Sequence, residues 1–332
     1  MKLAASQFDL FGAEAREAAV LRPMPSPAQR AKAVPAPAIT DEEDAAQRLE
    51  DTGRFRVLRK LVPRPVVERA DSPFERLGIL VDTETTGLSH TQNEIIEIGA
   101  VAFTYSDDGR IGDVVGVFSA LQQPSESIPA EITRLTGIAD DMVAGQSIDI
   151  AALDAFIAPA DLIIAHNARF DRPFLEKLTP SFVPKPWACS VAEIRWSDLG
   201  FEGTKLGYLV GQAGLFHDGH RATDDCHALL EVLARPAGEA RVLPFAELLE
   251  ASTRARVRIY AEHSPFEMKD LLKGRGYRWS DGSDGRPKAW WTEVAEEDFD
   301  DELHFLRTEI YRWKDIEPLS QRLSAMDRFR AP

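Results

Sequence analysis

Short apolar runs alternate with amphipathic stretches over the central part of the chain, from Leu77 to Ala234. Four runs have the length and the continuous apolar character of buried strands: LGILVDTE, EIIEIGAVAFTY, DVVGVFSAL and DLIIAH. Five stretches carry apolar residues at helical spacing: PAEITRL, IDIAALDAFIA, RFDRPFLEKL, TKLGYLVGQAG and RATDDCHALLEVLA. Three neighbouring strands, followed by helices that alternate with a strand, predict a mixed sheet flanked by helices. We therefore expect an α/β fold class for a domain over residues 77–236.

The two flanks of this domain have other patterns. Residues 237–332 contain helical stretches around the strand-like runs RVRIYAE and KAWWTEV, which predict a small α+β C-terminal domain. Residues 40–76 contain an acidic helix start and then the basic run RFRVLRKLV, which predict a basic helical segment, shaped as a small hairpin. Residues 1–39 hold five prolines between Pro23 and Pro37, which predict a disordered N-terminal tail.

Charge and cysteine content narrow the function classes. The 332 residues include 39 Lys and Arg against 54 Asp and Glu, a formal net charge of −15. This excess argues against binding nucleic acid over the whole surface, although basic stretches at 51–70 and 254–288 allow local contacts. Two cysteines exclude a disulfide framework and a cysteine-rich zinc site. No apolar run approaches the ~20 residues of a membrane span and no signal peptide is evident, so we expect a cytoplasmic protein without a membrane partner.

The first candidate motif, DTETTG, ends the first predicted strand. Asp82 and Glu84 stand at positions i and i+2, so both carboxylates project from the same face of the strand, about 7 Å apart. Two carboxylates at that separation can reach one hard cation. Taken alone, the pair fits a solvated strand end equally well.

Two further motifs follow in the chain. Asn167 and Asp171, in HNARFD, come where a buried strand meets a helix, the edge at which ligands of open α/β sheets bind. His220 and Asp225, in HRATDD, stand on either side of a helix start, where a proton acceptor would lie beside a metal ligand. Each residue singly also fits a helix cap or a solvated first turn. Asp224 is interpreted as a solvated neighbour. Four other residues near the motifs are predicted to be structural or surface residues: Glu94, Glu97, His217 and His227.

In this order, DTETTG (82–87), HNARFDRPFL (166–175) and HRATDD (220–225) resemble the DEDDh exonucleases. This superfamily includes the proofreading (epsilon) subunit of bacterial DNA polymerase III and ribonuclease T. The intervening EIIEIGAV, LTGI and KLGYL are also similar, so the resemblance spans about residues 77–235. It implies a ribonuclease H-like fold and hydrolysis of a 3′-terminal phosphodiester with two divalent cations, Mg²⁺ or Mn²⁺.

The resemblance also implies a role for each matching residue. Asp82 would bridge both ions, Glu84 and Asp225 would complete the first ion site, and Asp171 would hold the second ion. His220 would take the proton from the attacking water, because imidazole side chains titrate near neutral pH. Five further residues would line the terminal nucleotide: Thr85, Gly87, Leu88, Asn167 and Phe170.

A short motif lies in the predicted tail and consists of Gln7, Phe8, Asp9, Leu10 and Phe11. It resembles the pentapeptide by which bacterial proteins bind the DNA polymerase sliding clamp, with Leu10 and Phe11 filling an apolar pocket. The alternative is an amphipathic turn that packs on its own domain. A clamp-bound tail would raise the local concentration of the enzyme at replicating DNA, where a DNA polymerase partner is also expected.

These patterns together predict a metal-dependent 3′–5′ exonuclease that acts on single-stranded or frayed DNA 3′ ends and releases nucleoside monophosphates, in replication proofreading or DNA repair. In the polymerase subunit the clamp motif follows the exonuclease domain, whereas here it precedes the domain, which favours an accessory or repair nuclease. The alternatives are an RNA 3′-end-trimming exoribonuclease of the same fold and an inactive sliding-clamp adaptor. In the C-terminal domain, four aromatic residues among cations either stack bases or form a small core: Tyr277, Trp279, Trp290 and Trp291.

Overall fold

The computed structural model describes residues 39–283 and 285–331, which divide into a compact unit up to Val57 and a second unit from Leu58 onwards. In the first unit, helix α1 spans Ile39–Glu50. Acidic side chains in its first turn and an arginine in its last turn interact favourably with the helix dipole. The helix predicted at the start of the basic segment is therefore present.

The second helix predicted in this segment, within RFRVLRKLV, does not form. Strand β1, Arg59–Lys60, instead pairs in parallel with strand β7, Leu215–Phe216. Leu61 directly after β1 is buried in the main hydrophobic core. Pairing with a distant strand and the burial of one leucine outweigh a weak local preference for helix. The interpretation of residues 40–76 as a helical hairpin is therefore wrong beyond α1.

A five-stranded mixed sheet forms the centre of the second unit. Its strands are β2 (Arg76–Thr85), β3 (Ile95–Tyr105), β4 (Ile111–Leu121), β5 (Leu162–Ala165) and β6 (Trp187–Cys189). The order across the sheet is β4-β3-β2-β5-β6; β3 runs antiparallel to both its neighbours, whereas β2, β5 and β6 are parallel. The predicted fold class, a ribonuclease H-like mixed sheet flanked by helices, is confirmed.

Helices cover both faces of this sheet. They are α2 (Ala130–Thr136), α3 (Asp140–Val143), α4 (Ile150–Ile157), α5 (Ala168–Leu178), α6 (Ser190–Glu193), α7 (Leu206–Gln212), α8 (Ala222–Ala234) and α9 (Pro244–Thr253). Ile79 and Val81 of β2 belong to a core with Phe174 of α5, whereas Leu80 between them belongs to a core with Leu229 of α8. Because both faces of the sheet are buried, β2 has a continuous apolar sequence rather than an alternating one.

Helix α8 approaches β3 so closely that one strand position must be glycine. A Cβ built on Gly99 would lie 2.3 Å from the backbone nitrogen of Thr223 and 2.4 Å from the carbonyl carbon of Ala222. No side chain fits such a contact without displacing the backbone. Gly99 therefore allows the first turn of α8 to lie directly on the strand next to β2.

A second sheet lies in the C-terminal part of the chain. Its strands are β8 (Arg256–Ala261), β9 (Arg278–Trp279), β10 (Trp290–Ala295) and β11 (Ser320–Leu323), arranged antiparallel in the order β11-β8-β10-β9. Its helices are α10 (Lys269–Gly274) and α11 (Phe299–Phe305). Val257, Ile259, Leu272 and Leu306 belong to the core between this sheet and its helices. This region has the α+β character expected from its sequence.

The aromatic residues of this sheet do not share one environment. Tyr277 and Trp291 are buried, whereas Trp279 has 46% of its surface exposed and stands edge-on to Trp290, with their ring centroids 5.6 Å apart. The buried pair therefore supports the core interpretation. Trp279 keeps a surface on which another ring could stack.

The segment after β11 returns to the five-stranded sheet. The Trp187 nitrogen donates to the carbonyl of Ala325 at 2.9 Å, and Phe329 is buried in the same core as Ile79. Arg172 on α5, which is fully buried, donates to the carbonyls of Arg328 at 2.5 Å and Met326 at 2.7 Å. The core around β2 is therefore completed from the far end of the described chain.

Within the two described ranges, no helix combines the length and the apolar character that crossing a bilayer requires.

Candidate active site

Three carboxylates converge at the carboxyl end of β2. Asp82 and Glu84 project from this strand, and Asp225 projects from the first turn of α8, next to the close contact at Gly99. One carboxylate oxygen from each of the three lies within 4.8 Å of the others. Oxygen ligands of this kind, on rigid elements, suit a hard divalent cation. The structure thus brings together acids that are up to 143 positions apart in the sequence.

Asp171, the fourth acid of the motifs, lies beside this group and is held by β2 itself. Its Oδ1 accepts hydrogen bonds from the Thr83 nitrogen at 3.1 Å and from the Thr83 hydroxyl at 2.9 Å. Because Thr83 stands between Asp82 and Glu84, it fixes Asp171 against the same strand. Thr83 was not among the predicted site residues, although its place inside DTETTG was a signal that could have indicated it.

The acids share a buried, negatively charged environment that disfavours their ionised forms. Burial raises the pKa of Asp82 well above its usual range, and repulsion by Asp171, Asp225 and Glu84 adds to the effect. Burial, followed by repulsion from Asp225 and Glu97, raises the pKa of Glu84 to about 8. Burial raises the pKa of Asp171 to about 7, although the hydrogen bonds from Thr83 oppose this shift. A bound cation would reverse this penalty, because it favours the charged carboxylates.

Two histidines meet Asp225 from the loop that precedes α8. The backbone nitrogen of His220 donates to Asp225 Oδ2 at 2.9 Å, and the exposed His220 residue adopts a left-handed φ of 65°. His217 Nε2 lies 2.6 Å from Asp225 Oδ1, and only 9% of the His217 side chain is exposed. His217, predicted to be a structural or surface residue, thus contacts one of the motif acids directly. Its spacing of eight from Asp225, on the same loop as His220, was the available signal.

The start of α8 is fixed by Glu97, a buried residue of β3. Glu97 accepts a forked pair of hydrogen bonds from Arg221, at 3.1 Å from Nε and 2.7 Å from Nη2, and a third at 3.0 Å from the Ala222 nitrogen. This arrangement satisfies a free N–H group at the helix start. The structural role expected for Glu97 agrees with these contacts. Glu94 bonds to Ser125, and His227 is buried in α8, as expected for structural residues.

The five residues expected along the terminal nucleotide stand at two places. Thr85, Gly87 and Leu88 directly follow Glu84; the Thr85 hydroxyl donates to the Gly87 carbonyl at 2.7 Å, and Leu88 is 40% exposed. The other two lie at the start of α5, the helix that carries Asp171. Asn167 occupies the N-cap position of this helix in a left-handed conformation with φ of 82°, although its side chain makes no capping hydrogen bond. The Phe170 ring centroid lies 5.1 Å from that of Phe174. The clamp-like motif, residues 7–11, lies outside the described residues.

Comparison with known proteins places this site in a family. The family model described as Exonuclease matches residues 79–233. The epsilon subunit of DNA polymerase III from Treponema pallidum is 33% identical over 160 residues, which cover 46% of this chain and 72% of that protein. The PolC-type DNA polymerase III of Clostridium perfringens is 32% identical over 174 residues, which cover 51% of this chain but only 12% of that protein.

Among solved structures, Exonuclease X in complex with 5′ overhanging duplex DNA is 24% identical, with a TM-score of 0.36, and the similarity covers 51% of this chain and 99% of that chain. The chain belongs to the exonuclease family, and its motifs fit the DEDDh pattern. The matched region carries all four acids and both histidines of the site. The chain spans well under a fifth of the PolC-type relatives and about three quarters of the epsilon relative.

Proposed function

We propose that the protein is a divalent-metal-dependent 3′–5′ exonuclease that hydrolyses the 3′-terminal phosphodiester of DNA and releases nucleoside monophosphates. The observation that carries the proposal is the convergence of Asp82, Glu84 and Asp225 within 4.8 Å, with Asp171 fixed beside them. Family membership supports hydrolysis. The names of two relatives, DNA polymerase III PolC-type and DNA polymerase III subunit epsilon, favour DNA over RNA.

The residues present fit two divalent ions. The donors are carboxylate oxygens, which suit Mg²⁺ or Mn²⁺, and burial together with their mutual repulsion raises their pKa values, a penalty that a bound cation would offset. Asp82, Glu84 and Asp225 would hold one ion, and Asp171 would hold the second, with Asp82 shared between them. When bound, the ions would supply positive charge to the attacking and leaving oxygens of the phosphodiester.

The chain's own residues then orient the reactants and move the proton. The exposed imidazole of His220 takes the proton from the attacking water. The His220 nitrogen and His217 hold one oxygen each of Asp225 and so fix the orientation of its carboxylate. Thr83 does the same for Asp171. Five residues hold the terminal nucleotide. Thr85, Gly87 and Leu88 lie at or just after the carboxyl end of β2, and Asn167 and Phe170 lie at the start of α5.

The substrate is tested with the full chain and matched 5′-labelled oligonucleotides, one of DNA and one of RNA, in Mg²⁺, Mn²⁺ or EDTA. We expect a ladder of DNA shortened from the 3′ end, slower trimming of RNA and no cleavage in EDTA. His220→Ala should lower the rate by about 10²–10⁴-fold, as for loss of a general base. Faster trimming of RNA would favour the exoribonuclease. No cleavage of either by a folded protein would favour the adaptor.

The cellular role we propose is replication-linked proofreading or repair, with Gln7–Phe11 binding the sliding clamp. We expect the full chain to bind a purified bacterial sliding clamp in calorimetry, and the double variant Leu10→Ala/Phe11→Ala to bind at least tenfold more weakly, because a short motif depends on its apolar anchors. Leu3→Ala, in the same region but outside the motif, is the matched control. Equal binding by the double variant and the control would contradict the proposal that residues 7–11 bind the clamp. The proposal of a DNA polymerase partner would then have no supporting observation.

A further inference from the structure

One face of the C-terminal sheet carries several arginines. Strand pairing places the alternate residues of β8, β9 and β10 on the same face. The residues on this face include Arg256, Arg258, Arg278, Trp291 and Glu293. The opposite face is apolar and packs on the helices of that sheet. The arginine face therefore requires an explanation other than core formation.

A cavity of about 250 Å³ lies on this face. Besides the sheet residues Arg256, Arg278 and Glu293, it is lined by Arg169 of α5 and by Glu193 of α6. A further lining residue, Arg328, comes from the segment that returns to the larger sheet. Four guanidinium groups and two carboxylates thus meet in one cavity of a protein whose net charge is −15.

The two carboxylates are already neutralised by particular arginines. Glu193 pairs with Arg328, and Glu293 pairs with Arg258 at 2.8 Å and with Arg169 at 3.4 Å. The guanidinium groups of two lining residues, Arg256 and Arg278, make no hydrogen bond or ion pair within the described part of the chain. The cavity therefore holds more positive charge than its two carboxylates neutralise.

A buried donor in the cavity wall also lacks an acceptor. Arg328 is 1% exposed, and its terminal nitrogens donate to Glu193 and to the carbonyls of Ala251 and Ser252. Its Nε has no hydrogen-bond partner among residues 39–283 and 285–331. A buried N–H group of a charged side chain is rarely left unpaired. The guanidinium group of Arg328 therefore contributes an incompletely paired positive charge to the cavity wall.

Several guanidinium groups lie against the buried ring of Trp291. Arg278 lies 4.3 Å from the ring centroid, Arg258 5.3 Å and Arg169 5.5 Å. Because Trp291 is only 4% exposed and its faces contact these cations, it offers no surface for a base. Recognition by this cavity therefore depends on phosphate oxygens, for which planar guanidinium groups are well suited.

We propose that this cavity binds the phosphate of a nucleotide, either a free mononucleotide or one unit of a nucleic-acid strand. The site is separate from the carboxylate cluster: Arg169 and Asp171 are two positions apart on α5 and so point to different sides of this helix. The proposal does not depend on hydrolysis, so it and the exonuclease proposal can fail independently.

The test is calorimetric titration of the full chain in EDTA with inorganic phosphate, deoxyadenosine 5′-monophosphate and a twelve-residue oligothymidylate with a blocked 3′ end. We expect at least one nucleotide probe to bind, and the double variant Arg256→Gln/Arg278→Gln to bind it at least tenfold more weakly. Arg322→Gln is the matched control, because this side chain is 78% exposed and its strand pairing with Val257 places it on the opposite face.

The outcomes separate the sources of the phosphate. If the wild type binds phosphate and the mononucleotide and the double variant does not, the ligand is a free nucleotide. If the wild type binds only the oligonucleotide and the double variant does not, the ligand is a nucleic-acid strand. Equal affinities of the wild type and the double variant, or no binding of any probe by the wild type, would overturn the proposal. If the double variant melts well below the wild type, the single change at the exposed Arg278 replaces it.

Discussion

The Asp82→Asn variant is expected to lose exonuclease activity by on the order of 10³-fold or more, because Asp82 is the acid assigned to both ions and their charge stabilisation is worth several kcal/mol. In EDTA at pH 8, the same variant should be at least as stable as the wild type. A carboxyl whose pKa is raised in the folded state binds its proton more tightly there than in the unfolded chain. The free energy of unfolding of the wild type therefore falls as the pH rises and the carboxyl loses its proton. Asparagine does not titrate, so the variant does not lose this stability. The measurements are the 3′-end assay and thermal unfolding.

The matched control is Asp224→Asn, which makes the same charge change in the first turn of α8, one position before Asp225. Asp224 is not one of the three acids that converge, so this variant should keep nearly full activity. Mg²⁺ should raise the melting temperature of the wild type more than that of Asp82→Asn, because a ligand stabilises the state that binds it. Activity of Asp82→Asn within tenfold of the wild type would contradict the assignment of the metal site.

Arg172→Met is expected to lower the free energy of unfolding by about 3–5 kcal/mol, as for the loss of one partner of a buried ionic network. The Arg172 side chain is fully buried, donates to Glu176 at 2.8 Å and binds the carbonyls of Arg328 and Met326. Methionine fills much of the same volume but leaves these acceptors without donors. Urea denaturation followed by tryptophan fluorescence measures the change.

Arg330→Met is the control for this change. Arg330 lies on the same returning segment and bonds to the Val183 carbonyl at 2.6 Å, but 36% of its side chain is exposed, so water replaces the lost contact. We expect Arg330→Met to lower the free energy of unfolding by less than about 1 kcal/mol. Equal costs for the two variants would mean that the buried contacts of Arg172 do not hold the segment.

The parts of the molecule that follow from local pattern were predictable. Continuous apolar runs identified β2, β3 and β5, because strands buried on both faces need them, and the acids were found because their types and order match a known family. The pairing of β1 with β7 was not predictable, because it depends on a partner more than 150 positions away. Arg172 resembles any charged residue on a helix until the position of residues 326–328 is known.

The site was predictable in its acids but not in the residues that orient them. Thr83 and His217 had only their places in or near the motifs as signals, because an ordinary hydroxyl and an ordinary imidazole become significant only where they meet a carboxylate. The arginine cavity was hidden for a similar reason. Its charged residues come from α5, α6, three strands and the returning segment, and of these only Arg256 and Arg278 lie in the basic stretch at 254–288.

The return of the chain to the larger sheet has a consequence for biosynthesis. The core that contains Ile79 of β2 is completed by Phe329, 250 positions later. A nascent chain therefore cannot close this core until Phe329 has left the ribosome. Until then the apolar surface that receives Phe329 is available to chaperones, and the proposed active site on β2 is carried by an incompletely folded domain.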